Sequence, residues 1–136
     1  MGKIIHMDYN IEVCDLKDCS KQVISELKKL VLVQSYESRM YCVLTNKDER
    51  HEFNLAIAYI DDKIIGWAVL EGSKRDYRYI IGSYIHPKHR RQGIATKLCK
   101  ILIARKRYVV AIVHNEQAKG FWESVKNSKK YLNIVT

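Results

Sequence analysis

Tyr84-Ile-His-Pro-Lys-His-Arg-Arg-Gln-Gly-Ile-Ala95 decides how this chain is put together, because it joins the end of a strand to the start of a helix through a basic turn. The apolar run from Tyr79 to Ile85 halts at Pro87, which has no amide to give to a sheet ladder. Apolar residues resume at Ile94 with helical spacing, which leaves the backbone amides of Gln92 to Thr96 at a helix N-terminus without intrahelical acceptors. Free amides and the positive end of the helix dipole favour an anion there. The stretch therefore predicts a phosphate cradle suited to a nucleotide pyrophosphate.

Working outward, Tyr9 to Val13 carries Ile11 and Val13 on one face and predicts a first strand. Ser20 is placed to cap a helix in which Val23, Ile24, Leu27, Leu30 and Val31 recur at three- and four-residue spacing. Residues 34–52 predict a loop with some helix. Asn54 to Ile60 and Lys63 to Leu70 flank Asp61-Asp62, the composition of a tight hairpin, and their apolar character on both faces predicts a central place in a sheet covered by helices. Tyr77 to Ile85 is the next strand, with Gly82 where a strand bulges or lets a ligand come close. Ile94 to Arg105 predicts a helix with Ile94, Leu98, Ile101 and Leu102 as its apolar stripe, and Tyr108 to Val113 a strand parallel to the one before it. Asn115 to Lys126 is a last helix with Ala118, Phe121, Trp122 and Val125 on one side, and Tyr131 to Val135 a short closing strand.

A chain of 136 residues, 47% hydrophobic and 29% charged, fits one domain spanning 1–136. Its apolar runs are too short for a membrane span and Met1 to Asn10 has no apolar signal region, which predicts a cytoplasmic protein with no membrane partner. Cys14, Cys19, Cys42 and Cys99 form no C-x-x-C pair, so reduced buried thiols are expected in place of a disulfide framework, and no metal site is expected. The net charge of +9 is concentrated: residues 77–115 hold nine Lys or Arg and no Asp or Glu, while the rest of the chain balances at 15 against 15. Such a patch suits a polyanion or a solvated helix face.

The order of elements, with Arg90-Arg-Gln-Gly93-Ile-Ala95 preceded by Ile85-His-Pro87 and followed by Asn115-Glu-Gln-Ala118 and Phe121-Trp122, resembles the GCN5-related N-acetyltransferase (GNAT) superfamily. The resemblance runs from about Leu55 to Trp122. It implies an α/β (α+β) fold with a central mixed sheet of about six strands flanked by helices. Only 14 residues follow Trp122, which predicts that the C-terminal strands are truncated, and a short edge there would suit a homodimer. It also implies acetyl-CoA as cofactor, held by Arg90, Arg91, Gln92, Gly93, Ile94, Ala95 and Thr96 at the phosphates, by the backbone of Tyr84, Ile85 and His86 along pantetheine, and by Asn115 and Trp122 on the last helix.

The chemistry so implied is transfer of an acetyl group to a primary amine by direct attack. Members commonly protonate the leaving sulfur with a tyrosine seven residues after the asparagine, where this chain has Trp122, and an indole is no acid. Tyr84 or Ser83 could substitute, and His86, His114, or Glu71 through water, are the candidate bases. Catalytic candidates are thus Tyr84, His86 and His114. The basic surface favours an amine-bearing acceptor that is an acidic protein or is associated with nucleic acid. The missing tyrosine keeps open an inactive acyl-CoA-binding module of the same fold that docks a protein or nucleic-acid partner. A nucleic-acid binder that uses the basic stretch is weaker, because Tyr77, Tyr79 and Tyr84 share one strand and make a poor stacking platform.

Overall fold

The Asp61-Asp62 turn joins two strands through two residues: both have positive φ, 49° and 65°, the handedness that matches a two-residue hairpin to the twist of its strands. Asp tolerates that region because its short side chain adds little crowding. The strands it joins are β2 (Phe53–Ile60) and β3 (Lys63–Gly72). The computed structural model describes residues 9–34, 53–72, 79–104, 109–112, 116–126 and 132–135. Around the hairpin stand β1 (Asn10–Asp15), α1 (Lys21–Gln34), β4 (Tyr79–Ile85), α2 (Ile94–Ile103), β5 (Val109–Ile112), α3 (Glu116–Lys126) and β6 (Leu132–Val135). The expected cover over residues 34–52 lies, from 35 on, outside the described residues, as do Tyr77 and Arg78.

The strands form one six-stranded sheet in the order β1-β2-β3-β4-β5-β6. β1 to β4 are antiparallel neighbours, whereas β5 runs parallel to β4 and β6 parallel to β5. The mixed α/β sheet of the sequence reading is present, and a single strand follows α3 among the described residues.

Alternation along the central strands divides the core in two. Leu55, Ile57, Ile64, Trp67 and Tyr84 face α1, where Ile24 and Leu27 are buried against them together with Leu16 of a 3-10 turn. Ala56, Ala58, Ile65, Ala68, Leu70, Ile81 and Ile85 face Ile94, Leu98, Cys99, Leu102 and Ile103 of α2 and Trp122 and Val125 of α3. Burial on both faces explains why β2 and β3 read as nearly continuous apolar runs. In α2 the stripe is corrected at one place: Ile101 is half-buried, while Cys99 and Ile103 are fully buried. The Ser20 hydroxyl accepts the Val23 amide at 3.2 Å, the expected cap of α1.

One irregularity shapes the sheet. The β2–β3 register slips between Ala58 and Tyr59, which pair with Gly66 and Ile64, so Ile65 is an extra residue and β3 bulges there. The Ile65 carbonyl accepts the His86 amide at 2.8 Å, extending the β3–β4 ladder one residue past β4. Gly66 lies opposite Ile85. A Cβ at Gly66 would collide with Ile85 Cδ1 and stand 2.9 Å from the Tyr84 carbonyl oxygen, so only glycine admits this approach. Gly82, where the sequence suggested a bulge, pairs regularly with Val69 instead, and a Cβ there would touch only Val69 Cγ1 at 4.0 Å.

The two glycines therefore make opposite predictions. Gly66→Ala is expected to lower unfolding free energy by about 2 kcal/mol through overpacking against backbone. Gly82→Ala should be neutral or stabilising by roughly 0.5 kcal/mol, since a strand glycine carries an entropic cost. Urea denaturation of both variants checks this pair.

Candidate functional site

The parallel ladder between β4 and β5 runs Tyr79 with Val109, Ile80 with Val110 and Ile81 with Ala111, its last pair among the described residues. From Gly82 to Ile85, β4 pairs with β3 alone among the described residues, so its other edge has no described partner there. Because His86 donates to β3, alternation assigns the main chain of Gly82 and Tyr84 to β3 and that of Ser83 and Ile85 to this other edge. The Ile85 carbonyl is taken by Arg90 Nε at 2.8 Å. The edge is thus lined by the Ser83 amide and carbonyl and the Ile85 amide, while the main chain of Tyr84 and the His86 amide turn to β3.

The turn follows directly. Pro87–His89 forms a 3-10 turn with Pro87 at its start, and His86 Nδ1 accepts the Lys88 amide at 3.2 Å. Arg90 folds back so that its guanidinium lies 5.5 Å from the Tyr84 ring centroid, a cation–π contact beside its bond to Ile85. Arg91 has φ 64° and Gly93 φ 78°, with Gln92 between them in the ordinary region. Such alternation turns successive amides toward one side and makes an anion-binding concavity. Gly93 is the N-cap of α2 and supplies no side-chain acceptor; the first bond it accepts is from the Lys97 amide at 3.1 Å. Among the described residues, the amides of Gln92, Gly93, Ile94, Ala95 and Thr96 have no backbone acceptor. Among the described residues, a Cβ at Gly93 would meet nothing within 4 Å. The basic strand-to-helix turn expected from the sequence is present, with these amides at the start of α2.

The side chains around it are sorted by burial. Arg90, Arg91 and Gln92 are exposed at the turn, whereas Ile94 is in the core and Ala95 half-buried. The Lys97 ammonium sits over the Tyr9 ring at 5.5 Å, drawn along α2. Burial holds His89 below the ordinary histidine range, helped by the charges of His86, Lys88 and Lys63, so it adds no cation to the patch at neutral pH. Burial pushes the Cys99 thiol up to about 12, with Ser83 acting weakly in the other direction.

The catalytic candidates fare unequally. Tyr84 is 6% exposed and packs 6.2 Å from Trp67 on the α1 face. His86 spends Nδ1 on the Lys88 amide, so taking a proton there would break the cap that starts the 3-10 turn. Trp122 is 6% exposed, set edge-on to Phe121 at 4.8 Å and packed with Val125 in the core. His114 and Asn115 lie outside the described residues. Glu71, half-buried, shares the α1 face of β3 with Trp67 and Val69, beside the open Gly82. The described residues hold no group of three or more side chains suited to a metal, and no helix long and apolar enough to cross a membrane.

Ser83 entered the sequence reading only through its hydroxyl, because the side of a strand on which a main-chain group falls depends on register, which the side-chain pattern does not carry. Arg90's bond to Ile85 closes over the 3-10 turn Pro87–His89 that lies between them, a feature too short for periodicity to signal.

Comparison with known proteins agrees with this geometry. The chain resembles in fold an acetyltransferase of the GNAT family from Streptococcus pneumoniae, with a TM-score of 0.69, 18% identity, and 86% of this chain and 85% of the other covered. It is similar to an aminoglycoside acetyltransferase from an uncultured soil metagenomic sample, crystallised with sisomicin, at a TM-score of 0.66, 18% identity and 87% of each chain. It is also similar to a ribosomal-protein-alanine N-acetyltransferase from Brucella melitensis, at a TM-score of 0.61, 16% identity, and 86% and 89% of the two chains. No curated protein matches it in sequence. The family model of the GNAT acetyltransferases matches residues 20–126, a span that holds α1, the hairpin, β4, the basic turn, α2, β5 and α3, and the chain belongs to that family.

Proposed function

We propose that this protein transfers the acetyl group of acetyl-CoA to a primary amine by direct attack. The observation that carries the reading is the adjacency of two features, each taken among the described residues: a cradle of five amides without acceptors, and an edge of β4 at Ser83 and Ile85 whose main chain has no strand partner. The cradle suits the pyrophosphate, with Arg91 and Gln92 beside it, and the strand edge suits the amide-bearing pantetheine arm. Acetyl-CoA supplies a thioester activated toward an amine. The Ile85 amide is then the donor that would polarise its carbonyl.

The amine would come from the opposite face. Among the described residues, a side chain at Gly82 would meet Val69 alone on the α1 side of β4, and Glu71 stands on that same face. A carboxylate there attracts a cationic amine and can take its proton through water. With Trp122 in the core, no acid comes from that position, and the thiolate would leave without it. The same burial favours a second reading, a module of the same fold that binds acetyl-CoA but turns it over poorly.

Three measurements test these statements. Calorimetry with acetyl-CoA should show binding to the wild type, and Gly93→Val should reduce affinity by at least about tenfold, since a β-branched residue is strained at φ 78° and blocks the cradle. Unchanged affinity in that variant would refute the cradle. A thiol-release assay over a panel of amines separates the readings: binding without release by any amine supports the module. Where release is seen, Glu71→Gln should cut kcat on the order of 10²-fold and flatten the acid limb of the pH profile.

A further inference from the structure

Away from the cradle, on the α1 side of the sheet, the end of β1 and the turn into α1 bring two thiols together. Cys14 Sγ and Cys19 Sγ stand 3.2 Å apart, both half-buried, with Cys19 Sγ also 3.6 Å from the Asp15 carbonyl oxygen. Their placement is set by neighbours other than each other. Cys14 is held in register opposite Leu55 by the β1–β2 ladder. Cys19 is held by its amide, which donates to the Leu16 carbonyl at 3.2 Å, and Leu16 is 1% exposed in the core. A disulfide needs sulfurs about 2.0 Å apart, so closing this pair asks for a small movement of two side chains.

The two sulfurs are also unlike. The hydrogen bond from Cys19 holds Cys14 below the ordinary thiol range, against burial and the charges of Glu12, Asp15 and Asp18. The same bond, with burial, holds Cys19 well above it, and Tyr59 of β2, also raised chiefly by burial, adds no charge at neutral pH. Geometry points the same way: the Asp15 carbonyl beside Cys19 Sγ can only accept, which favours the protonated thiol at Cys19 and leaves Cys14 the readier nucleophile.

We propose that Cys14 and Cys19 form a thiol–disulfide exchange site for small-molecule disulfides of the glutathione type, with Cys14 attacking and Cys19 resolving. The Cys14 thiol loses its proton and its sulfur attacks one sulfur of the oxidised ligand, breaking that S–S bond and expelling one ligand thiolate. Cys19 then loses its proton and attacks the Cys14 sulfur of the mixed disulfide, expelling the second ligand thiolate. The protein dithiol is oxidised by two electrons, the ligand is reduced to two thiols, and those thiolates take up the two protons. The product ties the end of β1 to the start of α1 on the face away from α2.

The test uses the whole chain with Cys42→Ser, to remove a competing thiol outside the described residues, incubated reduced with oxidised glutathione at neutral pH and mapped by peptide mass spectrometry without reduction. The expected result is a Cys14–Cys19 disulfide, no retained glutathione, and a free Cys99, which is fully buried. Adding Cys19→Ser should trap glutathione on Cys14. Adding Cys14→Ser should leave Cys19 slower by about tenfold or more. Substoichiometric alkylation of the otherwise unaltered pair should favour Cys14, a reading that does not depend on how the serine variants fold. A mixed disulfide that never closes in the parent, or equal reaction at the two sulfurs, would overturn the proposal.

Discussion

A strand edge without a neighbour leaves main-chain donors and acceptors that still require partners, and among the described residues the end of β4 is such an edge. The last described pair of β4 with β5 is Ile81 with Ala111. Buried polar groups left alone cost on the order of 1–3 kcal/mol each. The cost is moderated on the protein's own side by Arg90, which takes the Ile85 carbonyl, and by keeping Ser83 and Ile85 on an edge open to a ligand. What remains unmatched is a pattern of amides and a carbonyl that another amide-bearing chain can complete.

Holding that edge in place falls to β3. The extra residue at Ile65 aims a carbonyl at the His86 amide, and the missing side chain at Gly66 lets the two backbones close up beside Ile85. These contacts fix the direction in which β4 leaves the sheet. From there Pro87, the left-handed Arg91 and the left-handed Gly93 carry the chain into α2 with its first amides outward. Side-chain charge adds to this arrangement but does not create it, since His89 is neutral and Lys97 lies over Tyr9.

The sequence made the cradle legible because proline, glycine and the return of helical spacing are local signals, and the elements around it followed from periodicity in the same way. The hairpin at Asp61-Asp62 and the Ser20 cap were read for the same reason. Long-range facts were not readable. Gly66 looks like any strand glycine until Ile85 is placed opposite it, and Gly82, the more suggestive of the two, pairs regularly. Trp122 sits where a motif implied a ligand contact, yet an indole with Phe121 and Val125 nearby is better satisfied in the core. Cys14 and Cys19, read as unremarkable thiols, meet because a 3-10 turn intervenes between them, a feature too short for periodicity to signal.

The parallel pairing of β4 with β5 has a kinetic side. β2 and β3 meet by closing a two-residue loop, whereas β4 and β5 are joined through the 3-10 turn, the cradle and all of α2. Loop-closure entropy rises with the length closed, and contacts remote in sequence form late. By loop length alone, β4 and β5 therefore pair later than β2 and β3. A molecule that binds across the cradle and the edge of β4 stabilises the folded chain by mass action, tying together segments that local folding leaves apart.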